Sequence, residues 1–481
     1  MNRNKILLLL ILLIALFFRF YNSQNRYGIG YDGSRDALVA FESARQLQLP
    51  LTGSFSSIGP ITFGPLYYWY ITLSTLLPTV WGPWVAINVA SFLMVFIMYK
   101  TGKLLINESF GIILACVTAL SPAQIISGTQ LQQHALIGFL SSVVIYFFVK
   151  HYYQRFSTFE YILWGFCLGS AINSHYQAVS LLTLPLLAVI FFKRKKFIFT
   201  FILGLFISFI PFLIFELTNH WFNTRNILDY ILIGQYRVWT SNRWIIFLGN
   251  FIPQFWSYVT GIPIFLSSIA FFSSVPIILY LYIKKVLSKP FFVILLSFLA
   301  LLTSLRYYRG EKFFGYLQFF HPYIFIFTSL VLYLLVRKFK MSVLPTLIII
   351  GYIILVVPSS FSSVSSDSFN QITKRRVELL SSHYPNQVFT PYECKGAYNA
   401  KNDIQGLTLM LFMNKKFSNN GRKIALYNKE CDFFGGKRLD LNLIDLTDSS
   451  ASGRLAEGEL YPMTPYTVWD ETARWYFREE P

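Results

Sequence analysis

Long apolar runs, separated by short polar or basic stretches, recur between residues 7 and 357. A bilayer core needs about 20 apolar residues per helix and leaves no backbone amide unpaired, so this pattern predicts a polytopic helical membrane protein. The runs place eleven spans near residues 5–20, 83–99, 106–124, 132–149, 159–174, 178–192, 197–215, 263–283, 289–304, 316–336 and 341–358. Two more stretches, 64–78 and 244–261, are broken by proline or glycine or rich in aromatics. They are expected to lie as helices at the outer interface.

From about residue 359 the pattern turns polar, and the short alternations in "QVFTPYECKG" and "KIALYNKE" suit strands. The expected division is therefore a membrane domain over 1–358 and a small α+β domain over 359–481, long enough to fold as a unit.

Composition agrees, with 54% hydrophobic, 19% aromatic and only 13% charged residues, which excludes a soluble protein. A net charge of +18 would suit nucleic acid if it formed one face. Instead the basic residues fall in short clusters between apolar runs, such as "KRKK" at 193–196 and "RKFK" at 337–340. Clusters so placed set orientation, and no nucleic-acid partner is expected. The amino terminus is then cytoplasmic and, after an odd number of spans, the tail extracytoplasmic. The first run has a basic start but no small-residue cleavage site, so it reads as a retained anchor. Cys116 and Cys167 lie in apolar runs as core residues, and Cys394 and Cys431 in the tail are a candidate disulfide pair.

This topology gathers chemistry on the outer side: Asp32, Arg35 and Asp36; Gln132, Gln133 and His134; His175; Glu216 and Arg225; Arg306, Arg309 and Lys312; and His321. Asp32 and Asp36 stand four apart in "YDGSRDALVAFESARQL", on one face of an expected helix. Its apolar stripe, Ala37, Leu38, Phe41 and Ala44, suits packing against the membrane or the bundle. Glu216 ends a span, where a carboxylate is costly unless used or paired.

The segment "YDGSRDALVA" followed by "GPLYYWY" resembles the first outer loop of GT-C glycosyltransferases of the protein O-mannosyltransferase and aminoarabinose transferase type, in which D-E-x-R-Y-A precedes P-P-L-Y-Y-W. "NSHYQAVSLL", "PFLIFELTNHWFNTRNIL" and "YLQFFHPYIFI" look like later landmarks, so the resemblance covers residues 1–358 and not the tail. It implies a GT-C-like bundle that takes a sugar from a polyprenyl-phosphate donor and gives it to a protein, lipid or glycan hydroxyl on the extracytoplasmic face. Asp32 falls at the family's catalytic aspartate, Arg35 at its arginine, and Asp36 where a tyrosine usually stands. Gly33 replaces the usual second acid, and "TFGPLYYW" lacks the Glu-Lys pair of the aminoarabinose transferases.

A single displacement at the anomeric carbon needs one carboxylate as general base, and Asp32 is the expected one, with Asp36 beside it. The leaving phosphate needs fixed cations, for which arginine's fork is suited. Arg306, Arg309 and Lys312 are the first candidates, then Arg225 and Arg35. Some relatives bind a divalent metal, for which His175, Glu216 and His321 are candidate ligands, or else direct substrate contacts. The competing functions are a transporter or flippase of lipid-linked saccharide and a ligase of whole glycans. A transporter should carry ionisable or broken-helix features near the midplane, whereas these span interiors are plain.

Overall fold

A computed structural model describes residues 3–56, 60–192, 197–233, 244–308, 312–338, 344–365, 368–394, 398–418, 420–426, 432–433, 437–439, 443–447, 453–454 and 460–462. The membrane part comprises α1 (Arg3–Phe20), α2 (Tyr31–Gln46), α3 (Leu66–Ser74), α4 (Gly82–Leu105), α5 (Glu108–Ala119), α6 (Pro122–Ser127), α7 (Ile137–Tyr153), α8 (Thr158–Ser174), α9 (Thr183–Phe192), α10 (Ile198–Thr218) and α11 (Phe222–Leu232). It continues through α12 (Trp244–Ile246), a π-turn (Phe247–Phe251), α13 (Ile252–Thr260), α14 (Ile264–Ile283), α15 (Lys289–Tyr307), α16 (His321–Lys338) and α17 (Leu344–Ser362). Every expected span holds a helix, but among the described residues seven helices are long and apolar enough to cross a membrane. The other expected spans hold shorter helices: α5, α8, α9 and the apolar part of α17. Two of these, α5 and α8, bury Phe110, Leu114, Trp164 and Leu168 completely inside the bundle. The two aromatic stretches hold shorter helical segments: α3 has nine residues, and 244–260 is helical with a π-turn at Phe247–Phe251.

Local chemistry explains the helix ends. Ser157 and Glu160 form a capping box that starts α8, and the side chain of Asn107 accepts from the amide of Phe110 to start α5. α8 and α10 approach so closely that a Cβ on Gly165 would lie 2.0 Å from the carbonyl oxygen of Phe201, which leaves glycine as the residue that fits.

Two buried arginines deliver the chain to α2. Arg19, fully buried in α1, donates to Ser91 Oγ at 3.1 Å and to the carbonyls of Ala119 and Thr118 at 3.0 and 3.3 Å. These carbonyls end α5, the negative pole of its dipole, which offsets the cost of a buried cation. Arg26 donates to the carbonyls of Phe18 and Tyr21 at 3.0 and 2.8 Å, tying the segment before α2 to the end of α1.

The tail contains α18 (Ser368–His383), β1 (Phe389–Cys394), α19 (Tyr398–Met413), β2 (Arg422–Leu426), β3 (Asp432–Phe433), β4 (Lys437–Arg438), β5 (Leu443–Asp445), β6 (Gly453–Arg454) and β7 (Leu460–Pro462). Its five-stranded sheet runs β4-β5-β2-β1-β7, with β1 and β2 parallel and the other pairs antiparallel. Cys431 and the side chain of Cys394 lie outside the described residues.

One apolar core joins α2, α3, Trp81 and Trp84 to Leu380, Phe389, Leu407 and Leu411 of the tail. Phe41 meets Phe412 with ring centroids 5.7 Å apart. Asn370, fully buried on α18, donates to the carbonyls of Gln24 and Tyr27 at 3.0 and 3.1 Å. The stripe expected to face membrane or bundle is therefore covered partly by the tail, because α19 supplies the apolar surface nearest to it.

Candidate functional site

Gly30 immediately precedes α2, and its carbonyl accepts the amide of Ser34 at 2.8 Å. No side chain among the described residues caps this end, so Asp32 is in the first turn without being its cap. The helix dipole favours an anion there. Gly33 has a steric reason: a Cβ at that position would lie 2.3 Å from the carbonyl oxygen of Gly28, so the usual second acid has no room.

Arg35 reads both aspartates. Its Nη1 lies 3.0 Å from Asp32 Oδ1, and its Nη2 and Nε lie 2.8 and 2.9 Å from Asp36 Oδ1. Tyr68 on α3 donates to the same Asp36 oxygen at 2.9 Å. Asp36 is completely buried, whereas the Asp32 side chain is 48% exposed. Burial outweighs the Arg35 contact and pushes the Asp36 carboxyl up to about 6, with the Asp32 charge adding to the rise. Two carboxylates on one helix thus differ in kind: one open to a ligand, the other holding the arginine.

Asp32, Arg35 and Asp36 line a cavity of about 630 Å³. A second wall comes from residues 51–56 and 60–65, which contribute Ser54 and Phe63. His134 and Gln133 come from the approach to α7, and His175 from the joint between α8 and the following 3-10 turn, Tyr176–Leu182. α11 brings Tyr230, whose hydroxyl is 3.1 Å from that of Tyr308. Ser54 Oγ donates to Gln133 Oε1 at 2.5 Å. The imidazole of His175 is sandwiched between Phe63 and Tyr316, with centroids 5.1 and 4.8 Å away, and its buried Nδ1 has no hydrogen-bond partner among the described residues. His134 meets the same Tyr316 edge-on at 5.4 Å.

Of the residues singled out from sequence, Asp32, Arg35, Asp36 and His175 meet in this cavity. Arg225 is exposed on α11, and Arg306 is buried with its guanidinium 5.4 Å from the Trp244 ring. Arg306 and Lys312 flank Tyr308 and Phe313 of the lining without joining it. Burial, then Arg306, holds the Lys312 ammonium below its ordinary value. Arg309 lies outside the described residues.

The three candidate metal ligands are not gathered, and among the described residues no group of three or more His, Cys, Asp and Glu is placed to hold a metal. His321 is buried in the bundle, its Nδ1 2.6 Å from Gln124 Nε2. Glu216 accepts the amides of Asn223 and Thr224, both at 2.9 Å, and the Thr224 hydroxyl at 2.6 Å. It caps α11, which is how a carboxylate at a span end is paired. Tyr316, Tyr308 and Tyr230 were given no role from the sequence, and Gln132, Gln133 and His134 were placed outside without one. The available signal was the polar Gln-Gln-His run at the start of a span.

No family model matches the chain, and no curated protein matches it. Among solved structures it is similar to ArnT from Cupriavidus metallidurans bound to undecaprenyl phosphate, with TM-score 0.52 and 13% identity over 85% of this chain and 77% of that one. The apo form of ArnT gives 0.53 and 13%, over 85% and 76%. The oligosaccharyltransferase of Archaeoglobus fulgidus in its apo form gives 0.51 and 12%, over 80% of this chain and 58% of that one. The chain therefore has the helical membrane fold of the GT-C glycosyltransferases, which is the fold implied by the first outer loop.

Proposed function

We propose that this chain is a membrane glycosyltransferase that moves a sugar from a polyprenyl-phosphate donor to an acceptor hydroxyl on the extracytoplasmic face. The observation that carries this reading is the half-exposed Asp32 carboxylate, fixed by Arg35 over a cavity large enough for a sugar and an attacking hydroxyl. The likeness in fold to ArnT, whose structure holds undecaprenyl phosphate, supports the lipid-linked donor.

The acceptor hydroxyl approaches Asp32, which takes its proton as the oxygen bonds to the anomeric carbon and the lipid phosphate departs. Arg35 keeps Asp32 aimed, because Asp36, itself held by the Tyr68 hydroxyl, fixes the guanidinium from behind. The leaving phosphate meets Arg306 and Lys312 beside the Tyr308 and Phe313 wall, with Arg225 on the same outer side. His175 and His134 supply neutral hydrogen-bonding groups among rings that hold the sugar.

The test gives the purified chain radiolabelled polyprenyl-phosphate sugars and hydroxyl acceptors, and compares it with Asp32→Asn. Transfer by the parent and a loss of about 10²–10⁴-fold in the variant are expected. Movement of lipid-linked saccharide across vesicles without covalent transfer would replace this reading with a flippase. Orientation is tested by single cysteines at Asp32 and Arg194: outside reagent should modify only the first, and modification of both would overturn the topology.

A further inference from the structure

Glu216 closes α10 at 2% exposure, and the chain then turns through His220 and Trp221, both at positive φ, into α11. This sharp turn brings the first amides of α11 back over the carboxylate that ended the previous span. One oxygen of Glu216 takes the Asn223 amide, and the other takes the amide and hydroxyl of Thr224. Both oxygens are therefore engaged within the protein.

The cap has an onward connection. Asn223 is fully buried, and its Oδ1 accepts the backbone amide of Thr62 at 2.7 Å. Thr62 belongs to the loop that contributes Ile61 and Phe63 to the cavity, while α11 contributes Ile227, Tyr230 and Ile231. The next residues of the loop are held as well: the amide of Gly64 donates to the carbonyl of Asn173 at 2.8 Å, and Phe63 stacks on His175. A single side chain, Asn223, thus ties the α11 wall to the loop wall, and Glu216 fixes where that side chain stands.

We propose that Glu216 is a positioning residue which, through Asn223 and Thr62, sets the separation of two walls of the sugar cavity. The effect on transfer rests on the glycosyltransferase reading, whereas the tie itself does not. A carboxylate is required because three donors converge on it; a glutamine would turn its NH₂ toward at least one of them. Substrate binding depends on this spacing, while the chemistry at Asp32, on a different helix, does not.

The test uses the full chain in detergent, with Asn223→Ala to cut the tie while leaving the Glu216 cap on backbone amides, and Asn223→Asp to restore an acceptor oxygen. Amide exchange in peptide 60–66 reads the tie, and exchange in α11 reads the cap. In Asn223→Ala the Thr62 amide should exchange about five-fold faster, with α11 protected as in the parent. The donor KM should rise about five-fold while kcat changes less than two-fold, and Asn223→Asp should restore both. Parent exchange at Thr62 in Asn223→Ala, or an unchanged KM once Thr62 is freed, would overturn the proposal. If the parent transfers no sugar while Thr62 is freed as expected, the tie stands and the glycosyltransferase reading falls.

Discussion

Asp32 and Glu216 are carboxylates close behind membrane spans, yet the structure uses them in opposite ways. Glu216 is buried and saturated by three donors, whereas Asp32 is half exposed and held by one guanidinium contact. The difference shows that an acid at a span end is read by its unspent hydrogen-bonding capacity. A saturated carboxylate builds the cavity, and an open one can act inside it.

Four variants sharpen that contrast. Gly33→Ala should have the largest effect, destabilising the chain by about 3 kcal/mol, because the added Cβ meets a backbone carbonyl that cannot swing away. The check is the thermal midpoint in detergent, and a parent-like midpoint would mean that α2 shifts freely. Next comes pH. Asp36 holds its proton up to about pH 6 in the folded chain, above the ordinary 3.8, so its contribution to stability is full below about pH 4 and lost as pH rises through 6. Between pH 4 and 6 the parent should lose up to about 3 kcal/mol from this group, a slope that Asp36→Asn abolishes in melts taken across that range. Glu216→Gln should cost about 2 kcal/mol through the lost cap, read by the same melts. Arg35→Lys should lower transfer about ten-fold with little change in stability, since an ammonium cannot bridge two carboxylates as the fork does; kcat of the folded variant checks it.

Much of the fold was legible because a lipid-facing helix needs its full length of apolar side chains, so each run marks a helix. Length was less legible: α5 is as apolar as α4, but it ends after 12 residues where α4 runs for 24. That Asp32 and Asp36 share a face followed from helical spacing, but Arg35, expected at the leaving phosphate, instead bridges the two, and their different burial was not legible because it depends on Tyr68 and on α3 packing behind α2. The burial of α2 beneath the tail was hidden for a similar reason, since an amphipathic stripe does not name its partner. Glu216 was recognised as costly, but the turn that brings residues 223 and 224 back to it rests on positive φ at His220 and Trp221, and a bulky tryptophan does not advertise such a conformation. His321 shows the converse: a histidine at a helix start, expected outside, that pairs with Gln124 within the bundle.

The most direct test of the contrast sets Asp32→Asn beside Glu216→Gln and records sugar-transfer rate and thermal midpoint for each. Asp32→Asn should lose its rate and keep its midpoint, while Glu216→Gln should lose midpoint and retain a kcat within a few-fold of the parent. A folded Asp32→Asn chain that transfers sugar as fast as the parent would contradict that contrast.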